Sequence, residues 1–183
     1  MGKGCKDYDM SDSNRGGRMI CGHRIFNIFI SPIKAIMHEL DDQSVGYILC
    51  TSDDHLKIGH RENVLALRFM DITDGTQWGA FQEEQAEEVC RFLRCIKGAD
   101  DLFLCCDSGE SRSAAIAAAV LLSQNQSDLY IWNSTEYHPN HYVFKLQCAA
   151  LGVNVDDEEI FMRRKLNDDA FHRAILNSNT SGG

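Results

Sequence analysis

Residues 102–122 read LFLCCDSGESRSAAIAAAVLL. The pattern predicts an apolar strand over 102–105, a tight polar loop over 106–112 and then an alanine-rich helix. A strand feeding a loop that opens a helix aims several backbone N–H groups at one point. The helix N-terminus adds partial positive charge there, and together they make an anion site. Arg112 supplies a planar fork that matches two phosphate oxygens. Cys106 sits at the floor of the loop, where the same donors stabilise a thiolate. Cysteines in such settings have pKa values of about 3.5–7.5 instead of about 8.5. A thiolate beneath a phosphate cradle is the equipment for phosphoryl transfer through a cysteinyl-phosphate. A plainer reading exists, in which two cysteines end a buried strand before an ordinary turn. The order of strand, Gly109, Ser113 and apolar helix favours the anion loop.

Working outward, the chain alternates strand and helix patterns. Strands are predicted over 24–30, 45–51 (VGYILCT) and 64–70 (VLALRFM). Ser31-Pro32 reads as an N-cap and first helical position, opening a helix to about residue 40. The clearest helix spans 81–97. There Val89, Phe92, Leu93 and Ile96 form an apolar stripe, acidic residues crowd the first half, basic residues fill the second, and Gly98 is placed to end it. The helix after the loop covers 113–124. Residues 129–132 form a short edge segment or helical turn, Pro139 opens a helix to 151, and a last helix runs over 156–176. Such alternation predicts an α/β domain with a mostly parallel central sheet flanked by helices. Residues 1–20, rich in Gly, Ser, Asp and Lys, are expected to be a flexible arm, with one domain over 21–177 and a disordered tail over 178–183.

The whole chain of 183 residues, 44% hydrophobic and 25% charged, has the composition of a soluble globular domain. Its net charge of −9 disfavours nucleic acid and anionic membranes as partners. No apolar run reaches the length of a membrane span, and the N-terminal residues lack a signal peptide's apolar core, so a cytoplasmic protein is expected. Several of the eight cysteines (Cys50, Cys90, Cys95 and Cys148) lie within apolar patterns, without paired metal spacing. They are expected to be reduced, buried thiols, and no metal is expected.

CDSGESRS resembles the H-C-x-x-G-x-x-R-S/T signature of the cysteine-based protein tyrosine phosphatase superfamily, most closely its compact dual-specificity branch and similar small prokaryotic phosphatase-like proteins. Cys106, Gly109, Arg112 and Ser113 fall on the signature positions. The residue before the nucleophile departs from the pattern, with Cys105 where the family has His. The resemblance implies the fold of the phosphotyrosine protein phosphatases, Cys106 as nucleophile, Arg112 as the phosphate-binding cation and no cofactor. It implies that Asp107, Ser108, Gly109, Glu110, Ser111 and Ser113 line the phosphate site. It also implies a general acid on the loop after strand 64–70. Asp71 is the first candidate and Asp74 the second, since strand ends fix geometry better than mid-loop positions. Asn140, in Tyr137-His138-Pro139-Asn140, falls on the asparagine that braces the phosphate loop in dual-specificity enzymes. Cys50 matches the strand-end cysteine that acts as a resolving thiol in the lipid-phosphatase branch. The implied substrate is a phosphorylated protein or a small phosphomonoester, hydrolysed by a tyrosine or dual-specificity phosphatase. Acidic Asp107 and Glu110 inside the loop disfavour inositol polyphosphates. A phosphate-binding module with weak catalysis is the alternative, motivated by Cys105. Sulfurtransferases and arsenate reductases also hold a cysteine in an anion loop. The mid-chain position of this loop counts against the low-molecular-weight arsenate reductases.

Overall fold

The structure, a computed structural model, describes residue 25 and residues 27–96 and 99–180. The expected arm over 1–20 and the helix stop at Gly98 lie outside the described residues. Four parallel strands form one sheet: β1 (Asn27–Pro32), β2 (Val45–Thr51), β3 (Val64–Arg68) and β4 (Asp101–Cys106), in the order β1-β4-β2-β3. The expected α/β architecture is therefore present. Every residue of β2 is buried, as a continuous apolar run in a central parallel strand requires. Alternate residues of β2 and β4 feed two cores. Ile48, Cys50, Leu102, Leu104 and Cys106 belong to the larger one, with the main helices. Tyr47, Leu49 and Cys105 belong to the smaller one, with Ile33, Ile36 and Leu40.

The helices are α1 (Ile33–Ile36), α2 (Glu83–Cys95), α3 (Arg112–Ser123), α4 (Leu129–Trp132), α5 (His141–Ala150) and α6 (Asp157–Thr180). Helix α3 is buried from Arg112 through Leu121, because its alanines let it lie close on the sheet. The stripe of α2 is buried as its spacing predicts. Its start is set by a reciprocal capping box between Gln82 and Gln85, so the helix begins two residues after the expected 81.

Three expectations are corrected. The helix expected from Ser31 to residue 40 is only four residues long, and β1 continues through Ser31 and Pro32. The ladder carries both residues, pairing Ser31 with Cys105 and Pro32 with Cys106. Farther on, the Tyr47 hydroxyl donates to the Glu39 carbonyl at 2.8 Å, and Asn63 Nδ2 donates to the carbonyls of Leu40, Asp42 and Val45. Those bonds hold residues 39–45 as a turn. Second, Cys95 is exposed at the end of α2, while Cys50, Cys90 and Cys148 are buried. Third, α6 runs on through Thr180, beyond the expected end at 176 and into the stretch read as tail. No described helix is long and apolar enough to cross a membrane.

Candidate active site

Cys106 ends β4 and the loop of residues 107–111 returns over it into α3, at the C-terminal edge of the sheet where parallel α/β folds place their ligands. Gly109 N–H donates to Cys106 Sγ at 3.2 Å, and Ser113 Oγ, one turn into α3, donates to it at 3.1 Å. Burial by itself would raise the thiol pKa. The Ser113 hydroxyl, the Ser113 and Ser111 amides and the Arg112 charge outweigh it, so Cys106 is held below the ordinary thiol value. Gly109 makes the loop possible. Its φ is +79°, and a Cβ there would stand 2.6 Å from Pro32 N and 2.7 Å from the Ser31 carbonyl carbon.

Arg112, the first residue of α3, is 5% exposed. Its Nη1 donates to the Phe69 carbonyl at 2.9 Å, its Nη2 to Asp107 Oδ2 at 2.6 Å, and its Cζ lies 5.8 Å from the Phe69 ring centroid. Its Nε is buried and has no hydrogen-bond partner among the described residues. A buried N–H of a cation left unpaired is costly, and an oxyanion seated in the loop would satisfy it. Asp107 is held on its other side by Thr51 Oγ1 at 2.9 Å, Ser52 Oγ at 2.9 Å and Ser52 N–H at 3.3 Å. Partial burial would raise the Asp107 carboxyl, but Arg112, Ser52 and Thr51 outweigh it and bring it down to about 2.

The loop after β3 meets the loop of residues 107–111 through Asp71. Its Oδ1 accepts from Ser111 Oγ at 3.0 Å and from Asn140 Nδ2 at 2.7 Å. Asp74 instead accepts from Thr76 and Gln77 within its own turn, which lowers its carboxyl pKa. The geometry thus separates the two candidates: Asp71 touches the signature loop and Asp74 serves local structure. Asn140 caps α5 by accepting from the amides of Tyr142 and Val143, donates to the Ile72 carbonyl at 3.0 Å, and its own N–H reaches the Ser111 carbonyl at 3.4 Å. It ties together the loop of residues 107–111, the Asp71 loop and α5. His138 N–H adds a bond to the Glu110 carbonyl at 3.0 Å. Asn167 of α6 steadies this segment by donating to the carbonyls of Trp132, Ser134 and Tyr137.

Comparison with protein-family models, with curated proteins and with solved structures gives no match. What the site can do must come from its own chemistry.

Besides Asp107, the exposed residues among those expected to line a phosphate are Ser108 and Glu110. Both border a groove of about 460 Å³, shared with Gly109, Pro32, Tyr137, His138 and Phe171. The side chains of Ser111, Ser113 and Asn140 are spent on Asp71, Cys106 and the α5 cap. Asp107 is spent on Arg112. These four shape the site rather than present side chains to a ligand. Cys105, at the histidine position, is fully buried on the opposite face in the smaller core, and burial pushes its thiol up to about 12. Sequence reasoning missed Thr51, Ser52 and Phe69. The available signal was topological: Thr51 ends the apolar strand β2 and Ser52 follows it, and adjacent parallel strands end on one rim.

Proposed function

We propose that this protein is a cysteine-dependent phosphomonoester hydrolase of the protein tyrosine phosphatase type, acting on phosphotyrosine or phosphoserine/threonine in a protein. The observation that carries the reading is the pairing of two groups. A Cys106 thiol is held below its ordinary pKa by Ser113 and the loop amides, and the adjacent buried Arg112 Nε lacks a partner. In this reading the Cys106 thiolate attacks phosphorus. The S–P bond forms as the ester P–O bond breaks, while loop amides and Arg112 Nε take the equatorial oxygens. Asp71, whose two donors both reach Oδ1, carries on Oδ2 the proton given to the departing oxygen. Water then attacks the cysteinyl-phosphate, with Asp71 accepting its proton, and phosphate leaves. Ser113 Oγ stabilises the thiolate as the S–P bond breaks.

Hydrolysis of para-nitrophenyl phosphate tests this. The native chain is expected to turn it over, Cys106→Ser to abolish turnover while retaining vanadate or phosphate binding, and Arg112→Lys to weaken both. Two observations favour the second reading, a phosphate-binding module with little catalysis: Asp107 already occupies Arg112, and Cys105 is an inert buried thiol. Anion binding by the native chain without Cys106-dependent turnover would select it.

A further inference from the structure

A phosphate site gains nothing obvious from a carboxylate paired with its cation, yet the partly exposed Asp107 is held by three residues. Thr51 and Ser52 approach from the end of β2 and donate three hydrogen bonds. Arg112 approaches from α3 and donates at 2.6 Å. The loop amides and Arg112 are the site's positive potential, and Asp107 cancels the only formal positive charge among them. Among the described residues, the main electrostatic influences on Arg112 besides Asp107 are the Cys106 thiol of β4 and Asp71 of the loop after β3, with the buried Cys50 thiol of β2 also interacting with the pair, and none of these three is cationic. With Asp107 cancelling Arg112, the side chains around an incoming phosphoryl group offer it no net positive charge even without the thiol, and an ionised Cys106 adds a negative one. Charge repulsion then weighs against a second negative charge on the ligand. The free Nε of Arg112, by contrast, needs only one oxyanion to satisfy it.

Resting on the phosphatase reading above, the geometry points to Asp107 as a fixed counter-anion that both positions Arg112 and selects the phosphoryl group in its monoanionic, singly protonated form. Its substrates are then phosphomonoesters bound below or near their second ionisation, and dianionic oxyanions such as sulfate are poor ligands. Asp107 remains ionised throughout the working range, because its own carboxyl is lowered to about 2. The selection therefore follows the ligand's ionisation and not its own.

Phosphorus NMR of phosphotyrosine bound to the Cys106→Ser chain reads the ionisation of the ligand directly, without turnover and without the thiol's own titration. Free phosphate esters lose their second proton near pH 6. The bound resonance is expected to titrate about one pH unit or more above the free ligand, which corresponds to about a tenfold preference for the monoanion. In Cys106→Ser/Asp107→Asn the amide oxygen can still accept from Arg112 while the charge is gone. There the bound ionisation should fall to or below that of the free ligand, and sulfate, a dianion across the whole range, should bind about tenfold more tightly. A bound ionisation below the free value in the chain that keeps Asp107 would overturn the inference, and that arm needs no variant at Asp107. So would an Asp107→Asn chain that weakens phosphotyrosine and sulfate in parallel with the bound ionisation unmoved, since a merely structural role gives that result. Absence of binding by any oxyanion at any pH would remove the phosphatase reading itself, and the inference with it.

Discussion

Ser113 illustrates how much of this site rests on single hydroxyls. It is fully buried, donates to Cys106 Sγ at 3.1 Å, and contributes the largest influence that lowers the thiol pKa. Ser113→Ala should therefore move the pH midpoint of Cys106 alkylation by iodoacetamide upward, toward or beyond the ordinary thiol value, with Cys106 the reporter in a peptide map. An unmoved midpoint would show that the loop amides and Arg112 suffice. Asp71 gives the second residue-scale test. Asp71→Asn should cost about 10²–10⁴ in turnover for alkyl phosphates, whose leaving oxygen needs a proton, and much less for para-nitrophenyl phosphate. Asp74→Asn should leave that dependence alone, because its carboxylate serves Thr76 and Gln77. At this scale the sequence revealed the residue types and missed their partners. Cys106, Arg112 and Asp71 could be named from spacing and resemblance. That Asp107 would be claimed by Thr51, Ser52 and Arg112 could not, because those contacts depend on which strand lies beside β4, and spacing along the chain carries no such information.

The elements around the loop fit one another through backbone as much as side chain. Gly109 comes against the backbone of Ser31 and Pro32 at the end of β1, closer than any Cβ tolerates. This contact explains why β1 extends through Pro32 where a helix was expected: the edge strand's last residues form the wall behind the loop that covers Cys106. Gly109→Ala must both adopt φ near +79° and displace that wall. Left-handed backbone at a non-glycine residue costs about 1–3 kcal/mol by itself. The expected outcome is a lower thermal midpoint together with a rise in the Cys106 pKa, because a displaced loop carries the Ser111 amide away from the sulfur. A variant with native stability and a native alkylation profile would show that the loop has room it does not display. Element identity was legible wherever periodicity is long and uniform, as in β2, α2 and α3. It failed at 31–40, where local signals for a helix start lost to pairing with β4 and to the hydrogen bonds of Tyr47 and Asn63 on the turn.

The order of the whole sheet decides which thiols can meet. With β2 inserted beside β4, Cys50 stands directly opposite Cys106 in the parallel ladder, and both belong to the larger core. Adjacent strands lie about 4.7–4.9 Å apart, inside the roughly 4.4–6.8 Å of Cα separation that a disulfide needs. Cys105 meets neither condition, since it faces the smaller core. The resolving role that the family resemblance implied for Cys50 thus has the register it requires. Peroxide should first oxidise the Cys106 thiolate, with sulfur gaining an oxygen as sulfenic acid and hydroxide released. Attack by the Cys50 sulfur then forms the S–S bond and releases water. Burial, reinforced by the neighbouring Cys106, raises the Cys50 thiol well above its ordinary value, so this second step is the slow one. Disulfide formation should accelerate as pH rises, while the first oxidation, already drawing on a lowered thiol, changes less. Peptide mapping after peroxide should find a Cys50–Cys106 link that thiol reverses. Cys50→Ser should instead drive Cys106 to irreversible sulfinic acid at the same dose. Irreversible oxidation of Cys106 in the native chain, with Cys50 unmodified, would show that the slow step loses to over-oxidation and that Cys50 is a packing residue.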